Sequence, residues 1–206
     1  MMKAVAVTGG IGSGKSVVCA HLQRCGVPVY DSDSRTKTLY DRCPGLIVEV
    51  EEAFGMCFRD GDGRLDRRAL AAVAFADRPA LERLESIVHP KVLEDFIDWR
   101  DSYPGQGWRG YAGAEPFVVM ESAIILGKPA FLSQVDAVVL VTAPLERRID
   151  RAVRRDACPR EDIIARMASQ ETVEDGVDAL IINDSDLETL YRRTDSAFSG
   201  LFKIIG

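Results

Sequence analysis

The chain has 206 residues, 47% of them hydrophobic, 28% charged and 7% aromatic, a mixture that excludes disorder, collagen and small disulfide scaffolds. Its formal net charge of −6 argues against broad nucleic-acid binding through a basic surface, so an anionic substrate would need a local patch of positive charge. No uncharged apolar stretch approaches the roughly 18 residues that cross a bilayer, and the opening Met1-Met2-Lys3-Ala4-Val5-Ala6-Val7 runs at once into glycines. No membrane partner and a cytoplasmic location are therefore expected.

In chain order, residues 3–8 are an apolar, β-branched run that predicts a first strand. Gly9-Gly10-Ile11-Gly12-Ser13-Gly14-Lys15-Ser16 then matches G-x-x-x-x-G-K-[ST], in front of a helical pattern over residues 16–24. In that strand–loop–helix context the string reads as a nucleotide phosphate site. Gly10, Gly12, Ser13 and Gly14 let backbone N–H groups converge on phosphate oxygens, and Lys15 places its charge at the terminal phosphates. The Ser16 hydroxyl can bind Mg²⁺, and Val17 beside it is counted among the ATP-binding residues. No Asn-Lys-x-Asp base-reading motif is present, so a GTPase is not expected, and the length suits a small-molecule kinase.

Residues 27–30 predict a second strand, closed by Tyr30-Asp31-Ser32-Asp33. A carboxylate at that end lies on the same sheet edge as the phosphate loop, where it can accept a proton from a hydroxyl beside the γ-phosphate. Asp33 is assigned that role. Asp31 is read either as functional or as the cap of the following helix. Helical patterns at residues 46–54, 67–75, 79–87 and 90–100 predict an inserted lobe. Asp60-Gly61-Asp62-Gly63 imitates both a D-x-x-G switch and a calcium loop, but reads as a surface turn. His89 is read as a packing or substrate-contacting residue, and Trp99 and Trp108 as packing residues.

A glycine-rich stretch over residues 103–113 reads as a loop, and strands follow at residues 116–120, 135–142 and 180–182. Continuous apolar strands alternating with helices imply a parallel sheet covered on both faces. Arg147, Arg148, Arg151, Arg154, Arg155 and Arg160 supply local positive charge. Arg147, Arg151 and Arg155 share one helical face and repel one another by roughly 0.2–0.5 kcal/mol per pair. Arg151 has no acidic neighbour at ±3 or ±4. An external anion is the expected relief, with the arginines of a lid closing over a transferring phosphoryl group. The five scattered cysteines, without a C-x-x-C pair, predict reduced and mostly buried thiols. Two histidines are too few for a histidine-rich metal centre.

Taken together, Val7 to Ser16, Val27-Pro28-Val29-Tyr30-Asp31-Ser32-Asp33, Asp62 to Leu70 and Ile87-Val88-His89-Pro90 resemble the blocks of the dephospho-coenzyme A kinase family. Arg151 to Asp156 resembles its lid, and Asp178 to Asn183 its closing strand. The resemblance implies transfer of the ATP γ-phosphoryl to the ribose 3′-hydroxyl of dephospho-coenzyme A, with Mg²⁺, ATP and dephospho-coenzyme A being the expected partners. It implies Asp33 as catalytic base, Arg67 and His89 in the substrate lobe, and Asn183 near the adenine, with Lys15, Arg147, Arg151 and Arg155 around the phosphates. The implied fold is α/β: a five-stranded parallel sheet with an inserted helical lobe and a lid. The expected single kinase domain has a core over about 1–33 and 115–206, the lobe over about 34–114 and the lid over about 147–160. Gly127 stands where that family often has glutamate, and Glu121 either substitutes for it or is structural. Another small-molecule or nucleoside monophosphate kinase, or an ATP-binding regulator that transfers nothing, is the alternative.

Overall fold

Lys3–Thr8 forms β1 at the centre of a five-stranded, all-parallel sheet of order β2-β3-β1-β4-β5. The other strands are β2 (Val29–Asp31), β3 (Phe117–Glu121), β4 (Ala137–Thr142) and β5 (Ala179–Ile182). This computed structural model describes residues 2–103, 111, 115–168 and 176–204. The glycine-rich loop over residues 103–113 and Trp108 lie mostly or wholly outside the described residues. Ala4, Val5, Ala6 and Val7 are shut off from solvent on both faces, which is why these strands are apolar throughout instead of alternating.

Chain contacts divide the protein into two units: Met1–Asp31 with Arg100–Gly206, and Ser32–Trp99. In the first, helices α1 (Lys15–Arg24) and α9 (Leu187–Ile204) contribute Val18, Leu22, Phe198 and Leu201 to one core with Val5, Phe117, Val139 and Ile181. Phe117 and Phe198 stack with centroids 5.5 Å apart. A 3₁₀ turn (Ile125–Gly127) and the short α6 (Pro129–Leu132) follow β3, while α7 (Leu145–Asp156) and α8 (Arg160–Ala168) lie between β4 and β5. The short turn, α6 and α9 carry no signal that was read from the sequence.

The second unit contains α2 (Ser32–Arg42), α3 (Pro44–Phe54), α4 (Arg67–Ala74) and most of α5 (Arg78–Asp101). Where two helices were expected on either side of Pro90, α5 is one helix with the proline inside it. The proline removes a hydrogen bond at a cost of about 3 kcal/mol. Burial of Val88, Val92 and Phe96 along the same helix offsets it. Asp60 does build a turn: its Oδ1 accepts the N–H groups of Asp62 and Arg64 at 3.0 and 2.9 Å. Asp66 caps α4 through the N–H groups of Arg68 and Ala69. The cysteines are free, yet only Cys19 is buried, Cys25 and Cys57 being exposed. The expectation of mostly buried thiols is thereby corrected, because Cys25 and Cys57 follow helix ends where the chain turns outward.

Behind the sheet, Asp195 of α9 accepts the Tyr111 hydroxyl and lies 2.8 Å from Nε2 of His21 on α1. Burial, reinforced by that bond to Asp195, raises the Tyr111 pKa far above its ordinary value, so the hydroxyl stays a neutral donor. Asp195→Ala leaves a buried donor without its partner and is expected to lower unfolding free energy by about 1–3 kcal/mol. Asp195→Asn, which keeps an acceptor, is expected to lose less. Urea unfolding of both variants checks this, and equal stability of both with the parent would refute it.

Candidate active site

Because all five strands are parallel, their carboxyl ends share one edge. β1 runs into the Gly9–Ser16 loop, β2 ends at Asp31, β3 at Glu121 and β5 just before Asn183. The register pairs Val7 with Glu121 and Glu121 with Asp31, which sets two carboxylates in a row beside the loop. Such a strand edge is where open α/β sheets bind ligands.

The loop holds its shape through close backbone approaches. A Cβ on Gly12 (φ +74°) would stand 2.1 Å from the Arg148 carbonyl oxygen. One on Gly14 (φ +104°) would stand 2.1 Å from the Asn183 amide nitrogen, so both positions require glycine. Gly14 is also the N-cap of α1 and supplies no side-chain cap. The first N–H groups of that helix and its positive dipole end are thus left available to an anion. Ser13 is 1% exposed and its Oγ has no hydrogen-bond partner in the protein. These features fit a phosphate cradle.

Asn183 is buried, and its Nδ2 donates to the Ser13 carbonyl at 2.9 Å. Arg151 on α7 donates to the oxygen of the Asn183 side chain at 3.1 Å and to its carbonyl at 3.2 Å. Arg151 also makes long bonds to the carbonyls of Gly12 and Ser13, at 3.4 and 3.5 Å. Arg148 adds a 3.0 Å bond to the Ile11 carbonyl. Partial burial, and then the charge of Arg147, lower the Arg151 pKa from its usual value. It remains a cation, since guanidinium does not deprotonate in proteins.

The unrelieved arginine face expected from spacing is corrected here. Arg155 forms a two-point pair with its neighbour Asp156, at 2.7 and 3.0 Å, and Arg151 is satisfied by carbonyl oxygens. Asp150 pairs with Arg160 of α8. Spacing rules for i±3 and i±4 see neither an adjacent pair nor a backbone acceptor. Arg147 is exposed, and its charge helps to hold the Asp184 carboxyl below the usual range, after the larger effect of Arg193.

Glu121 meets the loop directly: the Ser16 hydroxyl donates to its Oε1 at 2.7 Å. A hydroxyl and a carboxylate are hard oxygen donors of the kind Mg²⁺ takes. Among the described residues no cluster of three or more His, Cys, Asp or Glu could hold a metal by itself. Lys15 opens α1, while Val17 is exposed in its first turn.

The remaining candidates belong to the second unit. Asp33 is exposed in the first turn of α2, two residues beyond the end of β2, and Asp31 directly precedes that helix. Arg67 donates to the Lys37 carbonyl at 2.7 Å and pairs with Asp41 at 3.4 Å. His89 faces Glu85 one turn back, at 4.0 Å.

An all-parallel sheet with a phosphate loop after its central strand and carboxylates at neighbouring strand ends defines the class of P-loop kinases. The family model for dephospho-CoA kinase matches residues 3–188. A dephospho-CoA kinase of Bacteroides fragilis is 37% identical over 185 residues, covering 88% of this chain and 85% of its own length. That of Chlorobaculum tepidum is 32% identical over 209 residues, covering 98% and 96%. The crystal structure of TT1252 from Thermus thermophilus superposes with a TM-score of 0.78 at 30% identity, over 97% of this chain and 98% of that one. The chain belongs to the dephospho-CoA kinase family. Among the described residues no helix is long and apolar enough to cross a membrane.

Two outcomes follow from the loop contacts and the α7–α8 pairing. Arg151→Ala removes donors from three loop and strand-end carbonyls. It is expected to destabilise the protein by about 1–3 kcal/mol, where relief of helix repulsion alone would stabilise it. Chemical denaturation decides the sign. Asp156 accepts from Arg155 and from Arg166 of α8, and these bonds lower its carboxyl pKa to about 2. A depressed carboxyl stabilises the fold above its unfolded value near 4 and loses that contribution as pH falls toward 2. Amide protection factors in α8, exchange rates referred to the intrinsic rate at each pH, are expected to fall across that window, and Asp156→Asn to abolish that fall.

Proposed function

We propose that this protein transfers the γ-phosphoryl group of ATP to the ribose 3′-hydroxyl of dephospho-coenzyme A, yielding coenzyme A and ADP in the cytoplasm. The observation that carries the reading is the glycine-shaped cradle at the uncapped N-terminus of α1, clamped from below by Asn183 and Arg151. Family membership supports the acceptor.

In this reading Lys15 and the loop formed by Gly10, Gly12, Ser13, Gly14, Ser16 and Val17 hold the β- and γ-phosphates. Ser16 and Glu121 hold Mg²⁺, which when bound draws charge from the β- and γ-phosphate oxygens. Arg151, held against the loop, is a fixed positive charge near the transferring group, with Arg147 and Arg155 contributing to the field around the phosphates. Asn183, at the end of β5, borders the adenine side. Arg67 and His89 bind the acceptor. Asp33 accepts the hydrogen bond of the 3′-hydroxyl and aims its oxygen at the γ-phosphorus. As the new oxygen–phosphorus bond forms, the bond from the γ-phosphorus to the β–γ bridging oxygen breaks, and the hydroxyl proton passes to the Asp33 carboxylate.

Turnover measured with dephospho-coenzyme A, AMP, CMP, dTMP and gluconate as acceptors tests the assignment. Preference for dephospho-coenzyme A is expected, and preference for another acceptor would replace it. Asp33→Asn is expected to fold and bind ATP while kcat falls by about 10²–10⁴, the usual worth of a positioned base. Near-normal kcat in that variant, with loss of transfer in Asp31→Asn, would move the base to Asp31.

A further inference from the structure

Arg155 lies one turn beyond Arg151 on α7, and Arg151 is bonded to the Gly12, Ser13 and Asn183 oxygens. The Arg155 side chain is 60% exposed, yet its guanidinium is held edge to edge by Asp156, the last residue of the helix. Its Nε donates to Oδ1 at 2.7 Å and its Nη2 to Oδ2 at 3.0 Å. Neighbouring residues inside a helix do not face each other. This pair sits where α7 stops, with Ala157 in a left-handed conformation (φ 49°) just beyond it. Asp156 Oδ2 also accepts from Nη1 of Arg166 on α8, at 2.8 Å.

A guanidinium gripped through Nε and Nη2 has its plane fixed, while its Nη1 edge is not used by Asp156 and keeps donors for a second anion. We propose that Asp156 is a positioning residue for nucleotide binding: it fixes the Arg155 guanidinium so that the remaining N–H donors meet the phosphates. This rests on the reading of Arg155 as a phosphate-binding residue. Two effects oppose each other. The Asp156 carboxylate alone would repel phosphate, but two arginines share it, so the trio keeps a net positive charge and the residual repulsion is screened by solvent. Ordering a long side chain before the ligand arrives spares that cost on binding, which is worth roughly 2- to 12-fold in affinity for one such side chain. Positioning therefore outweighs repulsion.

The test is calorimetric titration of the full chain with the β,γ-imido analogue of ATP and Mg²⁺, with melting temperatures taken in parallel. Arg155→Ala is expected to weaken binding, and Asp156→Asn to weaken it by roughly 2- to 12-fold. In the double variant the second change is expected to add little, because the carboxylate acts through the guanidinium. Arg166→Gln breaks the bond between α7 and α8 but leaves the Arg155–Asp156 pair, so it is expected to lower the melting temperature with affinity near the parent's. Parent-like or tighter binding in Asp156→Asn, with weak binding in Arg155→Ala, overturns the proposal. An equal loss of affinity in Arg166→Gln also overturns it, since Asp156 would then act only as a tie between helices. Unchanged affinity in Arg155→Ala would instead refute the phosphate-binding reading of Arg155 itself, so the two failures are distinguishable.

Discussion

The hydrogen bond from the Asn183 amide to the Ser13 carbonyl is the contact on which the nucleotide site depends. It ties the end of β5 to the loop after β1, across the intervening β4. It exists only because Gly14 has no side chain, since a Cβ there would displace the Asn183 nitrogen. Arg151 locks the other end of the same amide and so brings α7 into the arrangement. With its carbonyls engaged, the loop is held in one conformation. A preformed cradle of this kind binds phosphate without first having to order itself.

On the opposite flank, Ser16 and Glu121 form a second, ionic half of the site. The strand register explains their meeting: Glu121 pairs with Val7, one residue before the last of β1. Lys15 opens the helix that carries Ser16, while Arg151 is bound to the Gly12, Ser13 and Asn183 oxygens of the loop and β5 end.

Much of this was readable from the residues. The glycine string, its strand and its helix identify the loop, because glycines at fixed spacing report backbone requirements that no other residue meets. Continuous apolar runs correctly announce a parallel sheet buried on both faces. The partners of Arg151 and the Ser16–Glu121 bond were not readable, because they join residues 32 and 105 positions apart. Backbone carbonyls as acceptors leave no mark in a sequence. Pro90 misled for a related reason: local rules end a helix there, and tertiary burial of α5 overrides them.

The most direct test of the clamp is a double-mutant cycle on ADP affinity, measured by calorimetry, with Arg151→Ala, Asn183→Ala and both together. If the two side chains act as one unit beneath the loop, each single change weakens ADP binding, and the double variant is little weaker than either. The coupling should then be about 1 kcal/mol or more. Strictly additive losses, or single variants with unchanged affinity, would contradict a cradle held by that clamp.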